Sequence, residues 1–263
     1  MSASQSTSGI AFSLVIPAYN EGDNLSAVLD DTLTTLNDAG YAHPFEVLVV
    51  NDGSTDHTGQ VADDYAGRFS CIRVFHHTVN QGLGTSLRTA FTRSRGDYVT
   101  WISGDGEVKA DQAVKLLHIA HDADFVTTSR LAVGSAGSET PRPLLRRVLT
   151  WWMRVFCCVC LGSYPTRFTG IYMVRGSYLR SLLLHSRTGL VGMEIYFQSR
   201  DRGVRLQHGE MAVCPRLSGK SKVATPSGIL RSLIEMLKIR WYVRKSRGIS
   251  LTPLEEADAS KAA

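Results

Sequence analysis

The sequence has little of what marks a secreted, membrane-spanning or nucleic-acid-binding chain. Its five cysteines, Cys71, Cys157, Cys158, Cys160 and Cys214, are odd in number and lack paired CxxC spacing. Neither a disulfide framework nor a zinc site is expected from that pattern, and a reducing, cytoplasmic compartment fits it best. No stretch reaches the roughly 20 apolar residues that a spanning helix needs; the nearest, VLTWWMRVFCCVCL at 148–161, is too short and is interrupted by Arg154. The first residues, MSASQSTSG, are small and polar with no basic region before an apolar core, which reads as the absence of a secretory signal. With the polar stretch LTPLEEADASKAA at the end, any membrane contact is expected to be peripheral, on the cytoplasmic face. Internal repeats, low-complexity arrays and RNA- or DNA-binding signatures are missing, so no nucleic-acid partner is expected.

What is present points to phosphate chemistry on an α/β scaffold. The 263 residues carry a net charge of +5 and a pI near 9.0, a modest excess that suits phosphorylated substrates or anionic lipid. Four motifs follow one another: SLVIPAYNEGDNL at 13–25, EVLVVNDGSTD at 46–56, NQGLGTSLRTAF at 80–91 and YVTWISGDGE at 98–107. The first two are apolar runs that end in acidic or turn residues just before a helical pattern, the βα unit of an open parallel sheet. Strands are expected at Phe12 to Ile16, Glu46 to Val50, Ile72 to Phe75, Tyr98 to Ile102 and Asp124 to Thr128, alternating with helices in right-handed crossovers. Ser54 or Asp56 can cap the second helix. Such sheets bind ligands at the carboxyl ends of their strands, where Asn20, Glu21, Asn51, Asp52, Asp105 and Glu107 all fall.

In the second half a Pro/Arg-rich link (Pro141, Arg142, Pro143) leads to a long apolar helix at about 144–161 and a strand near 169–174. Helices near 176–184 and 192–202, a strand at Val204 to Val213 and a last helix from Ser227 to Arg247 complete the expected order. The expected division is a leader at 1–11, one domain at 12–223, an amphipathic basic helix at 224–248 and a tail at 249–263.

In the order and wording of these motifs, roughly residues 12 to 223 resemble the family 2 glycosyltransferases, and more closely the polyprenyl-phosphate sugar synthases such as dolichyl phosphate mannose synthase. The resemblance implies a GT-A, Rossmann-like, mostly parallel sheet with flanking helices, a divalent metal, and transfer of one sugar from a nucleotide-linked donor, UDP or GDP. It further implies that the turn Pro17, Ala18, Tyr19, Asn20, Glu21 and Asp52 hold the nucleoside. Gly82, Leu83 and Gly84 open a helix, and their small size would let backbone N–H groups approach an anion at its positive end. Asp105-Gly106-Glu107 stands where relatives have Asp-x-Asp. Two carboxylates there offer hard oxygen ligands for Mg²⁺ or Mn²⁺ bridging a diphosphate, with Glu107 one methylene longer than the usual second Asp.

For the acceptor, the resemblance places Arg130 against a phosphate, a role suited to a bidentate guanidinium, with Arg142, Arg146 and Arg147 as further cations. Thr169 and Gly170 match the family's Ser/Thr-Gly segment, whereas Thr166 replaces an Asp common in relatives. Glu194 matches the Glu of the helix where sugar and acceptor meet, but Ile195 follows it where hydroxyl-activating enzymes carry a basic Asp. A phosphate is already a nucleophilic oxyanion, so that departure favours a polyprenyl phosphate acceptor. Arg216, Ser218, Gly219, Lys220, Ser221 and Lys222 match a basic loop that can close over a departing diphosphate.

Trp151, Trp152 and Phe156, with Ile229, Leu230, Leu233, Leu237, Trp241 and Tyr242 on the last helix, stand beside Arg154, Arg231, Lys238, Arg240, Arg244 and Lys245. This mixture suits interfacial helices on anionic lipid, and equally a homo-oligomer interface or a core. Two alternatives to the favoured activity stay open. One is a glycosyltransferase acting on a soluble hydroxyl acceptor in secondary metabolism. The other is a catalytically inactive nucleotide-sugar-binding subunit.

Overall fold

In the computed structural model the protein is described for residues 10–38, 44–132, 170–213 and 226–246, together with Val155, Cys158 and Val159. The expected helix at 144–161, the Thr166–Thr169 segment and the basic loop with Arg216, Lys220 and Lys222 lie outside the described residues, apart from those three helical positions. Alternating apolar runs and amphipathic segments form β1 (Phe12–Ala18), α1 (Gly22–Asp38), β2 (Phe45–Asp52), α2 (Thr58–Arg68), β3 (Ile72–His77), α3 (Leu83–Phe91), β4 (Tyr98–Trp101), α4 (Ala110–Ala120) and β5 (Phe125–Ala132). After these come β6 (Tyr172–Arg175), α5 (Gly176–Ser181), α6 (Val191–Asp201), β7 (Leu206–Val213) and α7 (Pro226–Ser246).

Among the described residues the strands make one seven-stranded sheet in the order β3-β2-β1-β4-β6-β5-β7. Only β6 runs against its neighbours, pairing antiparallel with both β4 and β5, while β1–β2, β1–β4, β2–β3 and β5–β7 are parallel. The chain moves outward from β1 to β2 and β3, then returns to lay β4 on the other flank of β1. That reversal puts a topological switch point between the carboxyl ends of β1 and β4, where an open α/β sheet leaves a crevice.

Both faces of the sheet are covered, which is why its strands read as near-continuous apolar runs. Strand periodicity sends Phe12, Leu14, Ile16, Val47 and Val49 to a core shared with α1, α2 and α4. Val15, Leu48 and Val50 go to an opposite core shared with α3, α5 and α6. Each such side chain, fully buried, is stabilised by about 1.5–3 kcal/mol relative to exposure. A third cluster, Phe197 with Met236, Ile239 and Val243, seats α7 on α6.

The strands outlast the apolar runs. Pro17, Ala18, Asn51 and Asp52 belong to β1 and β2 rather than to the turns expected from sequence, because the ladder continues to Ala18↔Asn51. Pro17 is tolerated inside the sheet because the β1–β4 ladder ends at Val15↔Trp101. Beyond it the Pro17 carbonyl accepts only a long bond from Gly104 N at 3.4 Å, and no donor is required of Pro17 on that side. Similarly, β5 outlasts its expected end at Thr128 and runs on to Ala132, with Arg130 paired to Met211 in its interior.

One buried charge holds the opposite end of the sheet. Glu46, 2% exposed, accepts from Ser13 Oγ at 2.7 Å, Arg95 N at 2.6 Å and Arg73 Nη1 at 2.7 Å, and Ser13 Oγ in turn accepts from Gly96 N at 2.8 Å. β1, β2, β3 and the entry to β4 thus share one carboxylate. Removing one member of a buried pair leaves the others unsatisfied, so Glu46→Ala is expected to destabilise the fold by about 3 kcal/mol in urea denaturation, and Glu46→Gln by less.

Candidate active site

The crevice at the switch point is built by two loops that lock together. Asn20 adopts φ 51°, the left-handed conformation that Asn tolerates better than most side chains. Its amide donates to Ser54 Oγ at 3.0 Å, and its side-chain oxygen accepts from Thr55 N at 2.9 Å. The next two amides repeat the pattern, with Glu21 N donating to Thr58 Oγ1 at 2.9 Å and Gly22 N to Asp56 Oδ2 at 3.1 Å. Asn51 Oδ1 accepts from Ser54 N at 3.1 Å. Glu21 points back along α1, its Oε2 accepting from Asn24 Nδ2 at 2.8 Å. Consecutive donors at the α1 N-terminus are therefore satisfied by the loop after β2, a cap supplied from outside the helix.

Asp56 is the hinge of this lock. Its carboxylate accepts from Thr58 N at 3.0 Å, from the Thr58 hydroxyl and from Gly22 N, so it serves the first turns of both α2 and α1. Burial pushes its pKa up, but the bonds from Thr58 and Gly22 and the nearby His57 outweigh that and hold it below 3.8. Of the two caps expected from sequence, Asp56 binds the first helical amide of α2 from the position before the N-cap residue His57, which itself makes no side-chain cap bond, while Ser54 holds Asn20 instead.

Asp52 is 4% exposed. Its Oδ1 accepts from His77 Nδ1 at 2.6 Å and Gln81 N at 3.0 Å, and its Oδ2 from Gly82 N at 2.8 Å. The other ring nitrogen of His77 contacts Thr89 Oγ1 at 3.0 Å. The anion at the start of α3 is therefore Asp52 itself. This corrects the expectation that the Gly82-Leu83-Gly84 turn is open to a ligand phosphate. Gly84 N donates to Arg187 O at 3.1 Å. A Cβ at Gly82 would stand 2.8 Å from the Arg187 carbonyl oxygen, and one at Gly84 would clash with the Thr188 backbone. Both glycines are small so that residues 187–188 can lie on the turn. A carboxylate has about four lone-pair sites, and three here are taken, which leaves Asp52 one for a ligand.

Asp105 and Glu107 follow β4. The Ile102 and Gly104 amides donate to the carbonyls of Val15 and Pro17 at 2.9 and 3.4 Å, which lays this loop against the end of β1, beside Tyr19–Glu21. Asp105 is 7% exposed, and its Oδ1 accepts from Glu107 N at 3.1 Å, a local turn that ties the two acidic residues to one loop. No cluster of three His, Cys, Asp or Glu side chains occurs among the described residues. Two hard oxygen donors nevertheless fit Mg²⁺ or Mn²⁺, since Mg²⁺ is commonly held by one or two carboxylates, with water and substrate phosphates completing the shell.

Glu194 is fully buried. Its oxygens accept from His185 N at 3.0 Å, Ser186 N at 2.8 Å and His185 Nδ1 at 3.3 Å. That placement revises the sequence reading: the carboxylate anchors the segment before α6 and presents no open oxygen as a base. Gly170, at the entry to β6, donates its amide to Thr128 O of β5 at 3.0 Å. The side chain of Arg130 lies outside the described residues. Ser54, Thr55, His77 and the 185–188 segment are site-building residues that motif spacing did not reveal.

Comparison with known proteins agrees with this geometry. The profile of glycosyl transferase family 2 matches residues 13–182, a span covering the four motifs, the switch point and both locked loops. The chain belongs to glycosyl transferase family 2. A dolichyl-phosphate beta-glucosyltransferase of Trichomonas vaginalis is 30% identical over 244 residues, 89% of this chain and 74% of that protein. An undecaprenyl-phosphate mannosyltransferase of Micrococcus luteus is 30% identical over 217 residues, 80% of this chain and 86% of that one. A further T. vaginalis dolichyl-phosphate beta-glucosyltransferase aligns over only 40% of its own length. Among solved structures, glucosyl-3-phosphoglycerate synthase of Mycobacterium tuberculosis, in complex with Mn²⁺, UDP-glucose and phosphoglyceric acid, superposes with a TM-score of 0.62 at 20% identity, covering 93% of this chain and 82% of that one. This family 2 glycosyltransferase therefore has the GT-A fold, and no helix among its described residues is long and apolar enough to cross a membrane.

The lock has a measurable consequence. Asp56→Ala is expected to cost about 0.5–2 kcal/mol, the range for losing a helix-capping side chain, read by thermal denaturation. Because the folded pKa of Asp56 lies below the ordinary carboxylate value of 3.8, its contribution is fully present above that value and lost as pH falls through the lower folded value. Wild type and Asp56→Ala should therefore converge in stability at strongly acidic pH.

Proposed function

We propose that this glycosyltransferase moves a sugar from a UDP- or GDP-linked donor to a polyprenyl phosphate, with a divalent cation at Asp105 and Glu107. The observation that carries the donor half is the placement of the Asp105 loop against the end of β1, beside the locked Asn20–Asp56 loops. Nucleoside and diphosphate would then share one crevice, the nucleoside against the Tyr19–Glu21 turn and the remaining acceptor site of Asp52, the diphosphate over Asp105. The acceptor half rests on the polyprenyl-phosphate acceptors named for the two relatives at 30% identity.

In this reading a phosphate oxygen attacks the anomeric carbon in line with the departing diphosphate, which inverts that centre. Mg²⁺ or Mn²⁺, when bound, would offset the charge growing on the leaving group. Arg216, Lys220 and Lys222 add fixed positive charge to the same oxygens, and Arg130 orients the acceptor phosphate. A phosphate nucleophile needs no general base, which agrees with the closed environment of Glu194 and with Ile195 beside it.

The lipid acceptor calls for a seat at a bilayer. Ile234, Leu237 and Trp241 of α7 are 46%, 52% and 58% exposed, and they lie at helical spacing with Lys238 on one face. Apolar and cationic groups on a single outward face complement an anionic bilayer surface. The chain is thus read as peripheral on the cytoplasmic side of a membrane.

Asp105→Ala, or excess chelator, is expected to abolish transfer with the fold unchanged by circular dichroism; full activity in either would remove the metal-dependent mechanism. Short-chain polyprenyl phosphate should be glycosylated at a rate nearly flat from neutral to mildly alkaline pH, and Arg130→Ala should raise its KM strongly. Transfer confined to soluble hydroxyl compounds would replace the lipid reading while keeping the glycosyltransferase.

A further inference from the structure

The four consecutive amides of residues 185–188 are all held by carboxylates from two different helices. Glu194 of α6 takes His185 N and Ser186 N. Glu235 of α7 takes Arg187 N and Thr188 N, the latter at 3.2 Å. Seven residues further along α7, on the same flank of the helix, Tyr242 stacks on the His185 ring at 3.7 Å and 7°. Two contacts about two turns apart therefore clamp this segment to α7, whose buried face is fixed to α6 by Met236, Ile239 and Val243.

On its other side the segment carries part of the crevice. The Arg187 carbonyl accepts from Gly84 N at 3.1 Å, and the Arg187 and Thr188 backbones press on Gly82 and Gly84 too closely for any Cβ. Gly82 N is in turn bound to Asp52. An unbroken path of hydrogen bonds and backbone contact thus runs from Glu235 through residues 187–188 and the Gly82–Gly84 turn to Asp52. Packed backbone has few alternative arrangements, which gives such a path a physical basis for coupling.

We propose that Glu235 is a positioning residue for the donor site, holding the Gly82–Gly84 turn and the Asp52 carboxylate in place from the C-terminal helix. The proposal rests on the reading of Asp52 as a nucleoside contact. It goes beyond that reading by making donor affinity depend on a residue that lies outside the crevice, on the helix that presents Ile234, Leu237 and Trp241 outward.

The test uses the full chain with Glu235→Gln, which removes the charge and turns one acceptor into a donor, and Glu235→Asp, which keeps the charge on a shorter stem. Hydrogen exchange, read without ligand, should speed up in Glu235→Gln at residues 185–188 and at 81–84, with β1 and β2 unchanged. Calorimetry with UDP and with GDP, each with Mn²⁺, should show affinity weakened about tenfold, within the range that residues remote from a ligand exert. Donor KM should rise in proportion while acceptor KM stays fixed, and Glu235→Asp should recover part of both effects. A general loss of packing would instead raise exchange across the sheet and shift both KM values. Faster exchange confined to 185–188, with nucleotide affinity unchanged, would overturn the proposal. A wild-type chain that bound neither nucleotide would remove the donor reading, and the exchange at 81–84 would still decide the coupling.

Discussion

The lock between the loop after β1 and the loop after β2 is the interaction on which the crevice depends. Parallel strands end in unpaired backbone groups, and each following helix begins with four amides that lack internal partners. Here the two deficits cancel across the loops: Asn20, Glu21 and Gly22 donate to Ser54, Thr58 and Asp56, and Asn20 accepts from Thr55. Short polar side chains fixed to backbone amides leave little freedom. The result is a rigid polar rim on the ends of two adjacent strands, with the loop of Asp105 laid against it by the Pro17 and Val15 carbonyls.

A second layer of the site is electrostatic and internal. Asp52 fills the positive end of α3 with a protein carboxylate, aligned by His77 on β3. A buried charge in that position is stable because the helix end and the amides of Gln81 and Gly82 replace its hydration. The cost is that most of its acceptor capacity is committed before any ligand arrives.

The same logic repeats on the far side of the crevice, where Glu194 and Glu235 treat an irregular segment as if it were a helix start and satisfy its amides from outside. Carboxylates in this protein therefore divide by environment. Glu46, Asp52, Glu194 and Asp105 are buried and bound to backbone, whereas Glu107 on the Asp105 turn is partly exposed. Residues of one chemical type thus serve as fasteners and as candidate ligands for a cation.

The α/β alternation, the strand-end position of the acidic residues and membership of the glycosyltransferase family were legible in local pattern, because apolar runs buried on both faces and turn residues before helices leave a short-range signature. That Asp56 binds the first amide of α2 was legible as one of two options, beside Ser54. Strand ends were misjudged where ladder bonds carried Pro17, Asn51 and Asp52 past the apolar run. The roles of Gly82, Gly84, Glu194 and Glu235 were decided only in three dimensions. Their partners lie far away in the chain: Arg187 stands against Gly84, and Glu235 against Thr188. A glycine that admits a ligand and a glycine that admits a neighbouring backbone look the same in sequence. Only the packing of residues 185–188 between α3, α6 and α7 distinguishes them, because close approach is a property of which segments meet and not of the residue that permits it.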